Sequence, residues 1–310
     1  MRTLTLALDI KKQVKLMSSG KPKQKYEIEP EESELSIVWL MLKKNKGAMF
    51  GLATILCLCF IAVLAPLISP YDPLKLDLPN RLRSPSAEYL LGQDEFGRCI
   101  LSRIFHGAKI SLYVGLLTVS VSMVLGITAG TVAGYYGGKC DTLIMRLGDI
   151  FLAFPGIILA MGMMAALGRG ISNVILALAV VSWPSYARVV RSQTLSLRET
   201  MFVDAARAMG ASNIHIIIHH ILPNLIAPLI VLGTLSLGWA ILSEAGLSFL
   251  GLGVNPPTPS WGSMVSSGRL HMLEAFYLSF FPGLMISITV LSFNMLGDGL
   301  RDALDPSLRI

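Results

Sequence analysis

Residues 47–69, 110–135, 221–242 and 275–297 contain no Asp, Glu, Lys or Arg. Each is long enough to cross a bilayer, which takes roughly 20 apolar residues. Residues 150–167 and 171–187 are shorter apolar runs that approach spanning length by borrowing a turn from their flanks, which makes six candidate spans. Lipid offers a backbone no hydrogen-bond partner, so runs of this length are read as helices, and the alternation of a membrane strand is missing. The composition agrees, with 53% hydrophobic and 15% charged residues over 310 positions and a mean hydropathy of +0.62. The expected fold is therefore an all-α membrane protein with six transmembrane helices.

The positions of the basic residues set the expected orientation. Lys43, Lys44 and Lys46 stand directly before the first span, and the next basic residue is Lys75. By the positive-inside rule this puts the N-terminus in the cytoplasm. With six spans, the C-terminus and the polar segment 196–220 follow it there. Near the spans, 11 Lys/Arg then lie inside and eight outside, a modest bias that leaves the first span as the main determinant. The cysteines form no paired framework: Cys57 and Cys59 fall in the first span, Cys140 inside and Cys99 outside, so no structural disulfide is expected. No cleavable signal peptide is expected either, because the first apolar run begins behind a long polar tail.

Residues 1–34 carry Lys and Glu blocks of opposite sign and read as a solvated tail. Residues 35–46, apolar with Trp39 and ending in lysines, suit an interfacial helix leading into the span 47–69. Residues 70–109 form a long outer loop with Pro70, Pro73, Pro79 and Pro85. The spans resume over 110–298, with the polar segment inside them, and 299–310 close the chain. Gly126, Gly130 and Gly134 share one helical face, which favours close backbone packing. Asp141 is placed to cap the helix that follows Gly137-Gly138. Pro155-Gly156, Trp183-Pro184 and Pro282-Gly283 interrupt spans, either as hinges or as static bends.

The segment from Ser196 to Asn224 has its own order. Arg198 to Met209 is rich in helix formers, Gly210 offers the left-handed turn that ends a helix, and Ser212 or Asn213 can cap the next one. Pro223 then sits near the first turn of an apolar run, where its missing N–H costs little. The reading is helix, glycine break, second helix, membrane.

Asp204-Ala205-Ala206, three residues, Gly210, and then Leu222-Pro223 resemble the cytoplasmic loop of bacterial ABC importer permeases, whose pattern is Glu-Ala-Ala-x3-Gly-x9-Ile-x-Leu-Pro. Asp204 replaces the Glu and His220 the Ile. The resemblance implies a coupling helix that docks on an ATPase subunit, with Asp204, Ala205, Ala206, Arg207, Met209 and Gly210 as the coupling residues. Gly92-Gln93-Asp94-Glu95-Phe96-Gly97-Arg98, followed by Ser102-Arg103, is similar to a signature of the peptide and nickel branch, with Gln93 and Cys99 departing from it. It implies a contact with the substrate-binding protein or the substrate through Asp94 and Arg98.

Ser243-Glu244-Ala245-Gly246-Leu247-Ser248-Phe249-Leu250-Gly251 and Pro256-Pro257-Thr258-Pro259-Ser260-Trp261-Gly262 are similar to the loop before the last span in dipeptide and oligopeptide permeases. Trp261 joins the same contact group. Glu244 either faces the pore and meets a peptide's amino group or is a satisfied structural carboxylate. Asn294-Met295-Leu296-Gly297-Asp298-Gly299-Leu300-Arg301 resembles the branch's C-terminal signature. Asp298 and Arg301, three apart, are able to pair on one helical face at the cytoplasmic exit.

The sequence has no Walker A motif to cradle a nucleotide phosphate, and neither His-Glu-x-x-His nor Gly-x-Ser-x-Gly occurs. No catalytic residue and no resident metal are expected. His215 and His219 share a helical face able to bind a metal, but they lie in the inner loop, away from the entry path.

The resemblance covers about residues 40–308 and implies a type I ABC importer permease fold in a C-type subunit of the dipeptide/oligopeptide system. It implies a second homologous permease chain, two ABC ATPase subunits that bind ATP and Mg, an extracytoplasmic solute-binding protein, a peptide substrate and membrane lipid, with no nucleic acid. The expected location is the inner membrane. A nickel or metal-chelate importer shares the fold, and a channel or lone secondary carrier would transport without ATP.

Overall fold

The structure, a computed structural model, describes residues 34–305. The polar tail expected before residue 34, and residues 306–310 of the C-terminal segment, lie outside the described residues. Every regular element among the described residues is helical, and the isolated β-type pairing is a bridge between Gln93 and Cys99.

Helix α1 (Glu34–Lys44) ends in Lys43 and Lys44, and the Lys43 ammonium lies 5.1 Å from the centre of the Trp39 ring. Asn45 then caps α2 (Lys46–Ile68), its side chain accepting from the Ala48 N–H at 3.1 Å. A long outer segment leads to α3 (Ile100–Tyr136), which begins ten residues before the uncharged run at Ile110. Arg103 and Lys109 are thus part of a helix that the absence of charge alone would have started later.

The stretch 150–167 is not one straight span. It is divided between α4 (Gly138–Leu152) and α5 (Gly156–Leu167), which meet at 87°. Pro155 explains the break, since its ring excludes the helical approach of the carbonyl four residues back and it has no N–H to donate. With 12 residues, α5 is about 18 Å long, well short of a bilayer's ~30 Å core. Asp141 does not cap α4. It sits in the first turn, where both its oxygens accept from Arg191, one of them at 2.6 Å.

Beyond these comes α6 (Ile171–Arg198), which continues through Pro184 and past Ala187 into the polar segment. Then α7 (Met201–Ala208), α8 (Asn213–Ile216) and a π-helical turn over 217–221 lead into α9 (Leu222–Phe249). Pro223 accounts for the π turn. Its ring would collide with the His219 carbonyl in a regular α-helix, and one wider turn relieves the clash. A short α10 (Trp261–Arg269) and α11 (Tyr277–Leu304) complete the described chain. Helices α2, α3, α6, α11 and the continuous run through α8 and α9 are long and apolar enough to span, and the bent pair makes up to six spans.

Close backbone contact holds the bundle together. A methyl group at Gly130 would lie 2.5 Å from the Ala187 carbonyl oxygen, and one at Gly134 would lie 2.8 Å from Thr194 Cβ. The glycine stripe of α3 is therefore the seam with α6. Val114, Met164, Leu178 and Leu247 close a core between α3, α5, α6 and α9.

Candidate functional site

The two polar regions that the sequence singles out lie at opposite ends of α3, whose 37 residues extend roughly 55 Å.

At the start of α3, the turn 92–99 is fastened around Asp94. One carboxylate oxygen accepts from the backbone N–H groups of Phe96 and Arg98, both at 2.9 Å. The other accepts from Arg98 Nε at 2.7 Å and faces Arg103 Nε at 3.4 Å. All three charged side chains are buried. The Asp94 carboxylate thus already serves two guanidiniums and two amides, which fastens the turn from within. Phe96, half exposed beside the Arg98 guanidinium, is what the turn presents outward.

Trp261 is fully buried as well. Its indole N–H donates to the Ile104 carbonyl at 3.1 Å, and its ring lies against Gly107. Glu244 is fully buried and accepts from Ser248 at 2.7 Å and Ser111 at 3.4 Å, the arrangement of a satisfied structural carboxylate. Trp261 and Glu244 stitch α9, α10 and α3 together and expose no surface for a partner in this conformation.

At the other end of α3, the helix pair α7–α8 is built as a brace with an outward tip. Gly210, at φ +83°, closes α7 with the Ala211 N–H on the Ala206 carbonyl and its own N–H on Arg207. This paired arrangement needs a residue in the left-handed region. Ser212 caps α8 through the His215 N–H at 3.3 Å. Val203, Ala206, Ile216 and Ile221 point inward onto Tyr135, Val190 and Leu225. Two contacts unforeseen from the sequence tie the pair to the spans. Tyr135 donates to Asn213 at 2.9 Å, and Arg198 donates to the last carbonyls of α3, Gly134 at 3.3 Å and Tyr135 at 3.2 Å. A cation at a helix C-terminus is a favourable arrangement.

What the pair leaves outside includes large apolar side chains. Met201 is 89% exposed and Met209 82%, with Phe202, Ile214 and Ile218 also exposed. The signal was present in the sequence as large apolar residues in a segment otherwise rich in polar ones. Of the coupling residues named from the resemblance, Asp204, Ala205, Arg207, Met209 and Gly210 are on the surface, whereas Ala206 is buried inside the chain. Asp204 and Arg207 pair with each other at 2.9 Å.

His215 and His219 do share a face, their rings stacked 4.2 Å apart. Among the described residues, no group of three or more His, Cys, Asp or Glu side chains converges to hold a metal ion. Asp298 and Arg301 do not form the expected ion pair. Both are exposed, where such a pair gains little over water, and Arg301 borders an open hollow with Asp305, Asn224 and Gln193.

Residues 126–310 match the family described as binding-protein-dependent transport system inner membrane component, and residues 33–85 match the N-terminal TM domain of oligopeptide transport permease C. The chain is 49% identical over 268 residues to the dipeptide transport system permease protein DppC of Alkalihalophilus pseudofirmus, covering 86% of this chain and 88% of that one. It is 44% identical to the di/tripeptide transport system permease protein DppC of Pseudomonas aeruginosa, over 89% and 93% of the two chains. Identity to the glutathione transport system permease protein GsiD of Escherichia coli is also 44%, over 87% and 90%. Among solved structures, inward-facing conformations of the MetNI methionine ABC transporter match with a TM-score of 0.55 at 21% identity, over 66% of this chain and 96% of that one, a likeness of fold.

Proposed function

We propose that this chain, which belongs to the family of binding-protein-dependent transport system inner membrane components, forms one half of the pore of an ATP-driven importer of dipeptides and short oligopeptides. It is a multi-pass membrane permease, and a transport component of this kind carries no chemistry of its own. ATP and Mg are bound by two separate ATPase subunits, a second permease chain completes the pore, and a solute-binding protein delivers the peptide from outside. Both termini and the α7–α8 pair face the cytoplasm.

The observation that carries the reading is the tip of α7–α8. Exposed apolar side chains on a water-facing loop mark a site of protein contact. Here Met201 and Met209 stand out from a helix pair that is braced to α3 through Arg198 and Tyr135. Movement of a docked ATPase would therefore be transmitted to the spans, with the coupling surface fitting the ATPase differently in its two states. The peptide substrate is carried over from the named relatives.

The test is ATP hydrolysis by the purified assembly in lipid, with its binding protein and either dipeptides or nickel chelates. Stimulation by dipeptides is expected. Stimulation by the chelate alone would replace the substrate, and failure to co-purify an ATPase would undo the assignment.

A further inference from the structure

Two hollows follow one another along the crevice between α6 and α9. The first, about 370 Å³, is walled by Ser182 and Ser185 of α6, Trp239 of α9, and Phe154 at the break between α4 and α5. The second, about 730 Å³, takes Val189 and Gln193 of α6 and Asn224, Pro228 and Leu235 of α9, with Arg301 and Asp305 also in its wall. Positions 182, 185, 189 and 193 share one face of α6, and 224, 228, 235 and 239 share one face of α9, because steps of three and four return to the same side of a helix. The hollows are therefore stretches of one groove. Ser182 lies about 17 Å along α6 from Ile171, and Trp239 about 15 Å along α9 from Phe249, so the groove starts near the middle of a ~30 Å bilayer core.

This groove is not built for lipid. Trp239 is 50% exposed halfway across the span, whereas tryptophan favours the membrane surface, where its N–H meets water. Among the described residues, the Ser182 and Ser185 hydroxyls, the Gln193 amide and the Trp239 N–H have no hydrogen-bond partner. Ser120 of α3, exposed like Ser185, instead spends its hydroxyl on the Leu116 carbonyl at 2.8 Å. Residues 152–155, the break between α4 and α5, are also exposed. Irregular backbone at membrane depth is tolerated only where it is buried in protein or lines a water-filled cavity. Open hydroxyls, an open indole and open backbone beside one another call for water or a polar cargo. Apart from Arg301 and Asp305, no Asp, Glu, Lys or Arg lines either hollow.

We propose that the α6–α9 groove is this chain's wall of the path from the membrane midplane to the cytoplasm, and that its hydroxyl, indole and amide groups meet the peptide groups of the cargo. The inference rests on the peptide-importer reading above. A tract with so little fixed charge suits a conduit for peptides of varied side chains, which must hold its cargo weakly enough to release it.

The test uses the complete assembly in proteoliposomes, exposed on both faces to a membrane-impermeant anionic thiosulfonate. Ser182→Cys and Ser185→Cys are compared with Leu56→Cys, whose position is 60% exposed on the apolar helix α2. All are made in a Cys140→Ser background, and the labelling of that background is subtracted. The two groove thiols are expected to react about tenfold faster than the α2 thiol, because a thiol reacts as its thiolate and apolar surroundings suppress ionisation. Each labelled groove variant is expected to lose most of the dialanine uptake that it shows before labelling. Either position serves if the other variant folds poorly. Labelling no faster than in Leu56→Cys would put the groove against lipid or the second permease chain and overturn the proposal. Fast labelling that leaves uptake intact would overturn it too, since the water-filled groove would then lie off the path. Absence of dialanine uptake by the wild type would instead overturn the transport reading, and the assignment of peptide as the cargo with it.

Discussion

The turn around Asp94 and the helix pair α7–α8 both look like polar surface motifs in the sequence, yet they are built in opposite senses. The turn buries its charges, with Asp94, Arg98 and Arg103 all below one-tenth exposure. The helix pair leaves its Asp204–Arg207 pair in solvent and exposes methionines instead. A charge that is satisfied inside the chain contributes to folding, and an apolar side chain left in water awaits a partner. The difference gives the first region a stabilising role and supports the proposed coupling role of the second.

The largest effect should come from Asp94→Ala. Removing the carboxylate leaves the buried Arg103 without its ion-pair partner and Arg98 with only the longer contact to Glu95 at 3.5 Å, a loss on the order of 3–5 kcal/mol. The unfolding midpoint in detergent should drop by about 10 °C. A midpoint within two degrees of wild type would mean that the turn is not held by its charges, and the contrast would collapse.

Gly210→Val should disturb the helix pair α7–α8. An added Cβ at Gly210 meets nothing within 4 Å, so the cost comes from the backbone, about 1–2 kcal/mol for a side chain at φ +83°. The chain should reach the membrane with a modestly lower midpoint, but the angle between α7 and α8 would change and uptake should fall more than tenfold. Wild-type uptake at matched membrane levels would sink the coupling role. The smallest effect is expected for Arg207→Ala, whose exposed pair is worth roughly 0.3–0.5 kcal/mol. A midpoint shift of about 1 °C is expected. A shift as large as that of Asp94→Ala would show that the helix pair depends on its charges after all.

Much of this architecture was legible in the sequence because it rests on local rules. Uncharged runs of spanning length gave the membrane helices, and Gly210, Ser212 and Pro223 stand in the structure where their backbone preferences put them. The stripe of Gly126, Gly130 and Gly134 announced a close helix contact, although its partner α6 could not be read from spacing. Some of the misses were long-range. Asp141 looked like a cap because its bond to Arg191 crosses 50 positions of sequence, and the Trp261 N–H bond to Ile104 crosses 157. The burial of Asp94 and Arg98 was not legible either, because it depends on the chain folding back over the turn. Pro155 was visible as an interruption, but whether a proline bends a helix or breaks it depends on its surroundings, as the unbroken α6 around Pro184 illustrates.

The most direct measurement is co-purification of the ATPase subunits with a Met201→Glu, Met209→Glu double variant. Both side chains are exposed, so the variant should fold, melt like the wild type and retain its partner permease. It is expected to lose the ATPase subunits and, with them, hydrolysis stimulated by dipeptides. ATPase recovered at wild-type stoichiometry, with full stimulation, would contradict the claim that the apolar tip of α7–α8 is the coupling surface.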